Sequence, residues 1–208
     1  MLPATIPIFP LPNVVLFPSV FLPLHIFEPR YRQMVTDALA GDRVIGMTLL
    51  KPGWKGDYEG RPAVYPIGCA GLITHAERQS DGRFNIVLRG VTKFRISDER
   101  DTAPYRVAVV DALPEALAEG DRASLIERRE RVVSKLAAAG ERQGLHLPLG
   151  LPDEELLNTL AQYLPMAPVE RQALLECDGV VARSAALIDL LEMQVLAAPG
   201  SWSAGDPH

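Results

Sequence analysis

The opening of the chain, IPIFPLPNVVLFPSVFLPLHIFEPRYR at residues 6–32, carries no Asp, Glu, Lys or Arg before Glu28. A signal peptide, a membrane span and the first strands of a buried sheet would all explain such a run. Proline separates them. Pro3, Pro7, Pro10, Pro12, Pro18 and Pro23 recur every few residues, and each removes a backbone donor and resists helix. A membrane helix needs about 20 apolar residues that stay helical. A signal peptide needs a positive start and an unbroken apolar stretch. The run therefore predicts short extended segments at 6–9, 14–17 and 20–27, separated by turns such as Leu11-Pro12-Asn13. Phe9, Leu16, Phe17, Leu22, Leu24 and Phe27 are expected in the core.

Pro29 suits the first turn of a helix. Tyr31, Met34, Val35, Ala38 and Leu39 fall on one helical face before Gly41, so a helix is predicted over about 29–40, with Glu28 at its start, where a negative charge suits the helix dipole. RVIGMTLL predicts a buried strand near 43–50. Residues 51–66, rich in Gly and Pro, predict a long loop that contains Trp54 and Tyr58. Asp81-Gly82 marks a hairpin between two β-rich runs, and VTKFRIS and YRVAVVDAL predict further strands. The inward positions are Phe84, Ile86, Leu88, Phe94 and Ile96. Arg83, Arg89, Lys93 and Arg95 are expected on one solvated sheet face.

From Pro114 onward the texture changes to Ala, Leu, Glu and Arg at helical spacing. Leu125, Val132, Val133 and Leu136 share one stripe. Asp153 is predicted to cap a helix carrying Leu156, Leu157, Leu160 and Leu164. Pro168 opens another, and Asp178 is predicted to cap a last one reaching about residue 197. Strands first and helices second predict an α+β chain with a mostly antiparallel sheet: a β-rich lobe over 1–113 and a helical lobe with a frayed tail over 114–208.

The chain has 208 residues, 48% of them hydrophobic, and a net charge of -5. That composition suits an ordinary globular protein, and an acidic total disfavours a nucleic-acid partner. Cys69 and Cys177 are far apart in sequence and do not form a disulfide framework. With no export signal read from the start, a reducing cytoplasm is the expected location. His25, His75, His146 and His208 are scattered, and no Cys or His spacing suggests a metal. SWSAG near the end lacks the first glycine of a nucleophile elbow. Ser134 and Lys135 are adjacent on a predicted helix and point about 100° apart, which is poor geometry for a Ser-Lys dyad. No cofactor, metal or catalytic residue is expected.

Three stretches together resemble one family. IPIFPLPNVVLFPSVFLPLHIFEPRYRQMV is similar to the opening of the N-terminal, substrate-binding domain of the ATP-dependent Lon proteases. GCAGLITHAERQSDGRFNIVLRGVTKFRI resembles its central hairpin and following strand. LAQYLPMAPVERQALLECDGVVARSAALIDLL resembles its helical end. The resemblance runs from about residue 5 to 196. It implies a PUA-like β pseudo-barrel followed by a helical bundle, and a role in engaging polypeptide substrates. It assigns no catalytic residue. The 208 residues contain no G-x-x-x-x-G-K-[ST] run for phosphate, so neither ATP hydrolysis nor peptide cleavage is expected of them.

The expected function is a non-catalytic polypeptide-binding module that engages unfolded or client proteins, with a separate protease or chaperone as a further partner, and without nucleic acid or membrane. The alternatives are a PUA-like nucleic-acid-binding protein, which needs a positive stripe, and a small-ligand-binding protein, which needs a concave pocket with convergent polar groups. An exposed contiguous apolar patch would favour polypeptide binding. Trp54 and Tyr58 are the candidate substrate-binding residues: large aromatics in a Gly- and Pro-rich loop act either as a lid on the barrel or as a contact for apolar client segments.

Overall fold

The computed structural model describes residues 2–57, 60–100, 103–140 and 149–197. The chain divides into two compact units, Met1–Pro114 and Glu115–His208. The first holds strands β1 (Thr5–Leu11), β2 (Phe21–Ile26), β3 (Val44–Leu49), β4 (Ile67–Arg78), β5 (Phe84–Arg100) and β6 (Val107–Leu113), with helix α1 (Pro29–Ala40) between β2 and β3.

The pairing explains the architecture. β1 runs parallel to β3 and antiparallel to β6. β3 with β4, β4 with β5, and β5 with β6 are all antiparallel. These five strands close into a ring, the PUA-like pseudo-barrel. β5 makes closure possible because its 17 residues serve two sets of neighbours. Its first half pairs with β2 and β4, its second with β4 and β6. Register shifts at Ala70/Gly71, Ile73/His75 and Ile96/Asp98 mark bulges, the usual device for bending a strand around a corner. The parallel β1–β3 pair needs a crossover, which β2 and α1 supply.

β2 stands outside the ring. Its only strand neighbour among the described residues is β5. Inside the ring, Ile6, Ile8, Ala70, Phe94, Ala108 and Val110 form one cluster. α1 buries Tyr31, Met34, Val35 and Ala38, and the rings of Tyr31 and Phe9 lie 4.3 Å apart between centroids. Pro29 occupies the first turn, and Glu28 is the cap residue, its carboxylate accepting from Arg30 Nε at 3.0 Å rather than from the helix backbone.

The second unit holds α2 (Arg122–Gly140), α3 (Asp153–Tyr163), α4 (Pro168–Glu176) and α5 (Gly179–Ala197). Leu125, Val132, Leu156, Leu157, Leu174, Leu187, Ile188 and Leu191 are buried. Among them lies Arg183, with no exposed surface. Its Nε donates to the Leu174 carbonyl at 3.0 Å, and its Nη1 donates to Asn158 Oδ1 at 2.7 Å and Glu115 Oε2 at 3.1 Å. Its Nη2 donates to Glu115 Oε1. One guanidinium therefore ties α3, α4 and α5 to the segment preceding α2.

Several expectations need correction. Residues 14–17 form no strand; Val15, Leu16 and Phe17 are buried from a loop. The two runs expected after Asp81-Gly82 are one continuous strand, β5. Asp153 is the first residue of α3 and Pro152 its cap; the Asp153 carboxylate accepts from Arg129 Nη1 at 2.9 Å. Phe9, Leu16, Phe17 and Leu22 are core, Leu24 is half-buried, and Phe27 is 59% exposed. Among the described residues, no helix is long and apolar enough to cross a membrane.

Candidate functional site

The exposure of Phe27 follows from the geometry of β2. The Gly90 N–H donates to the Val20 carbonyl at 2.9 Å. Hydrogen-bonding duty alternates along an antiparallel ladder. Leu22, Leu24 and Ile26 therefore turn their backbone groups toward β5, and Phe21, Pro23 and His25 turn theirs away. Pro23 falls where a missing N–H costs the ladder nothing, the position proline takes in edge strands.

The side chains divide by the same alternation. Leu22 and Ile26 are buried; Phe21, Pro23 and His25 are exposed. Across the three strands the register forms three rows: Phe21–Arg89–Leu72, Pro23–Val87–His75 and His25–Asn85–Glu77. Phe21 is 48% exposed, Leu72 37% and Val91 55%. Arg89 lies over the Phe21 ring, 5.9 Å from its centroid. His25 Nδ1 and Asn85 Oδ1 are hydrogen-bonded at 2.8 Å, and the His25 ring stacks 6.2 Å from that of Phe27. Single exposed apolar side chains are ordinary on a protein surface. Phe21, Pro23 and Leu72 instead share rows of one exposed sheet face, Phe27 is exposed just past the end of β2, and Val91 is exposed at the break in the β4–β5 register, beside a strand with a single neighbour among the described residues. That combination offers an extended peptide both an apolar bed and a sheet edge.

Of the two residues expected to contact clients, Trp54 lies in the loop after β3. Trp54 opens a short 3-10 turn, Trp54–Asp57, and is half-buried, with Lys55 Nζ 6.0 Å from its ring centroid. Tyr58 lies outside the described residues. The apolar face was missed because a charge-free run hides which of its residues face outward. The legible signal was the period of two at Phe21, Pro23, His25 and Phe27, opposite Leu22, Leu24 and Ile26.

The basic stripe also needs correction. Arg89 and Arg95 are exposed, but Lys93 is buried. The Arg83 backbone N–H donates to Asp81 Oδ1 at 3.0 Å and its Nε to Asp81 Oδ2 at 2.6 Å, and these bonds, the backbone one foremost, hold the Asp81 carboxyl below its ordinary range. Among the described residues, no group of three His, Cys, Asp or Glu is placed to hold a metal ion.

Comparison with known proteins places these features in context. Residues 5–193 match the family described as the ATP-dependent protease La (LON) substrate-binding domain. Lon protease 1 of Herpetosiphon aurantiacus is 26% identical over an alignment covering 94% of this chain and 25% of that protein. Lon protease of Desulfosudis oleivorans is 29% identical over 55% of this chain and 14% of that protein. The chain thus spans a quarter or less of these relatives' length. Among solved structures, the N-terminal domain of Mycobacterium avium complex Lon protease superposes with a TM-score of 0.69 at 18% identity, covering 90% of this chain and 98% of that one. A Lon N-terminal domain protein from Xanthomonas campestris superposes with a TM-score of 0.58 at 25% identity, covering 93% and 97%.

Proposed function

The chain belongs to the ATP-dependent protease La (LON) substrate-binding domain family, and from that premise we propose that it binds apolar segments of unfolded client polypeptides on the outer face of β2, β5 and β4, without cutting them itself. The observation that supports this reading is the placement of Phe21 and Leu72 on one exposed face of β2, β5 and β4, with Phe27 exposed just past β2 and Val91 exposed on β5. Unfolded chains differ from folded ones in displaying apolar side chains on extended backbone. An apolar bed selects the first property, and the outward backbone of an edge strand selects the second. Arg89 over Phe21 keeps the face hydrated and discourages self-association in the absence of a client. A separate protease or chaperone is the class of partner that would receive such a client.

The test is a double substitution, Phe21→Ser with Phe27→Ser, assayed against a reduced and alkylated, permanently unfolded model protein. Both side chains are about half exposed or more, so the melting temperature should change little. Affinity should fall by about tenfold or more, as expected for losing two aromatic anchors. Full binding by the double variant would sink the assignment of this face.

Trp54 and Tyr58 are proposed as a second contact for the same clients. Trp54 is half-buried, so its truncation should cost less than the roughly 3–5 kcal/mol of a core aromatic. The pair Trp54→Ala, Tyr58→Ala should weaken client binding severalfold with only a small drop in melting temperature. A large drop with intact binding would mark a lid instead.

A further inference from the structure

Beside the β4–β5 turn, Arg32 of α1 and Arg78 of β4 line one depression of about 180 Å³, with Gln33, Gly82 and Phe84 among its other walls. No carboxylate lines it among the described residues. Arg78 ends the row Ile26–Phe84–Arg78 across β2, β5 and β4. Its guanidinium lies 5.8 Å from the Phe84 ring centroid. Arg32 reaches the turn from the helix. A Cβ at position 82 would stand 2.5 Å from Arg32 Nη2, so glycine is what lets this guanidinium come against the backbone of the turn.

Most bonded arginines of the chain face a carboxylate. Arg83 is bonded to Asp81, Arg106 to Glu99, Arg129 to Asp153 and Arg183 to Glu115. Among the described residues, no hydrogen bond or ion pair occupies the guanidinium of Arg32 or of Arg78. Arg32 acts on the Asp81 carboxyl through charge alone, and less than the Arg83 bonds that take up both Asp81 oxygens. Gln33 gives one amide N–H to Asp37 Oδ1 at 2.7 Å and keeps the other. Two like charges that share a small space repel each other, and an anion that enters it meets no acid in the wall.

We propose that this depression takes the phosphoryl group of a phosphorylated serine or threonine in a bound polypeptide. Size limits the ligand. Sites that enclose a whole small molecule run to about 300–1,000 Å³, so this smaller space admits a group and leaves its carrier outside. Charge selects the group. A phosphoryl carries about 1.5 to 2 negative charges at neutral pH and three acceptor oxygens. It can balance both arginines and still accept from Gln33, whereas a carboxylate balances one. Arginine forks suit phosphate oxygens. A polypeptide carrier fits the substrate-binding domain family to which the chain belongs. The inference rests on the reading that the chain binds polypeptides, and not on the β2–β5–β4 face.

Fluorescence anisotropy with labelled, otherwise uncharged decapeptides tests it, the central residue being phosphoserine, serine or glutamate. The phosphoserine peptide should bind about tenfold more tightly than the serine peptide, with glutamate between them. Arg78 is exposed, so Arg78→Gln should keep the parent's melting temperature and cut the phosphoserine preference severalfold. Adding Arg32→Gln should abolish it. Arg32 is half-buried, so the double variant is checked by circular dichroism, and Arg78→Gln alone decides if it misfolds. Equal binding of the phosphoserine and serine peptides would overturn the proposal, as would a preference unchanged by Arg78→Gln. A glutamate peptide that binds as tightly as phosphoserine would overturn a phosphoryl site in favour of a general anion site. Inorganic phosphate that binds as tightly as the phosphopeptide would overturn the polypeptide carrier. The Phe21→Ser, Phe27→Ser variant should keep the preference, and its loss would move the peptide to the apolar face. Absence of the preference with the unfolded client still bound sinks this site alone. Loss of the client with the preference intact sinks the apolar face alone.

Discussion

Replacing Arg183 with alanine should destabilise the helical unit by about 3–5 kcal/mol, the range for removing one partner of a buried charge network. The guanidinium is fully buried and bonded to Glu115, Asn158 and the Leu174 carbonyl. Truncation removes the cation shared by Glu115 and Asn158 and opens a cavity among buried leucines. Urea denaturation followed by helical circular dichroism should show the loss as a lower midpoint. Arg183→Met combined with Glu115→Gln should recover part of it, because no charge is then left buried. A single variant that loses less than about 1 kcal/mol would show that the leucine stripes alone hold the unit.

Gly90→Ala should be nearly as damaging, costing about 3 kcal/mol. A Cβ at position 90 would overlap the Phe17 carbonyl oxygen and lie 2.8 Å from the carbonyl carbon and 3.1 Å from Pro18 Cα. All three are backbone atoms, so no rotamer change relieves the crowding. The same glycine accepts from the Ser19 N–H and donates to the Val20 carbonyl, each at 2.9 Å. These bonds seat the start of β2. The variant should therefore lose client binding along with stability. Gly56→Ala is the control: a Cβ there meets nothing within 4 Å, and its midpoint should match the parent. A Gly90→Ala protein as stable as that control would mean the residues before β2 yield more easily than this packing implies.

The local features were the legible ones. Pro29 and the stripe of Tyr31, Met34, Val35 and Ala38 located α1, and Asp81-Gly82 located the β4–β5 hairpin, because each depends on neighbours within a few residues. Ring closure was legible only through the family resemblance, not from the residues themselves. It depends on β1 meeting both β3 and β6 and on bulges that no residue type announces. Lys93 shows the cost. Alternation along β5 placed it with Arg89 on solvent, but Val91 intervenes at a register break and Lys93 is buried. Phe27 was assigned inward on hydrophobicity, although its spacing from Phe21, Pro23 and His25 put it on the open face. A residue kept exposed for binding looks, in composition, like one buried for stability.

The place of β1 in the ring has a consequence for how the chain is made. Thr5, Ile6 and Pro7 pair with Val109, Ala108 and Val107, so the first strand of the unit to be synthesised waits for the last. Loop-closure entropy has to be met before those contacts form, and such non-local pairing slows folding. Throughout synthesis of the intervening residues, a charge-free apolar segment lacks one of its two partners. Its prolines then serve a second purpose. They make a nascent strand that adds poorly to its copies on neighbouring ribosomes, since each proline withholds a donor that an intermolecular sheet would need.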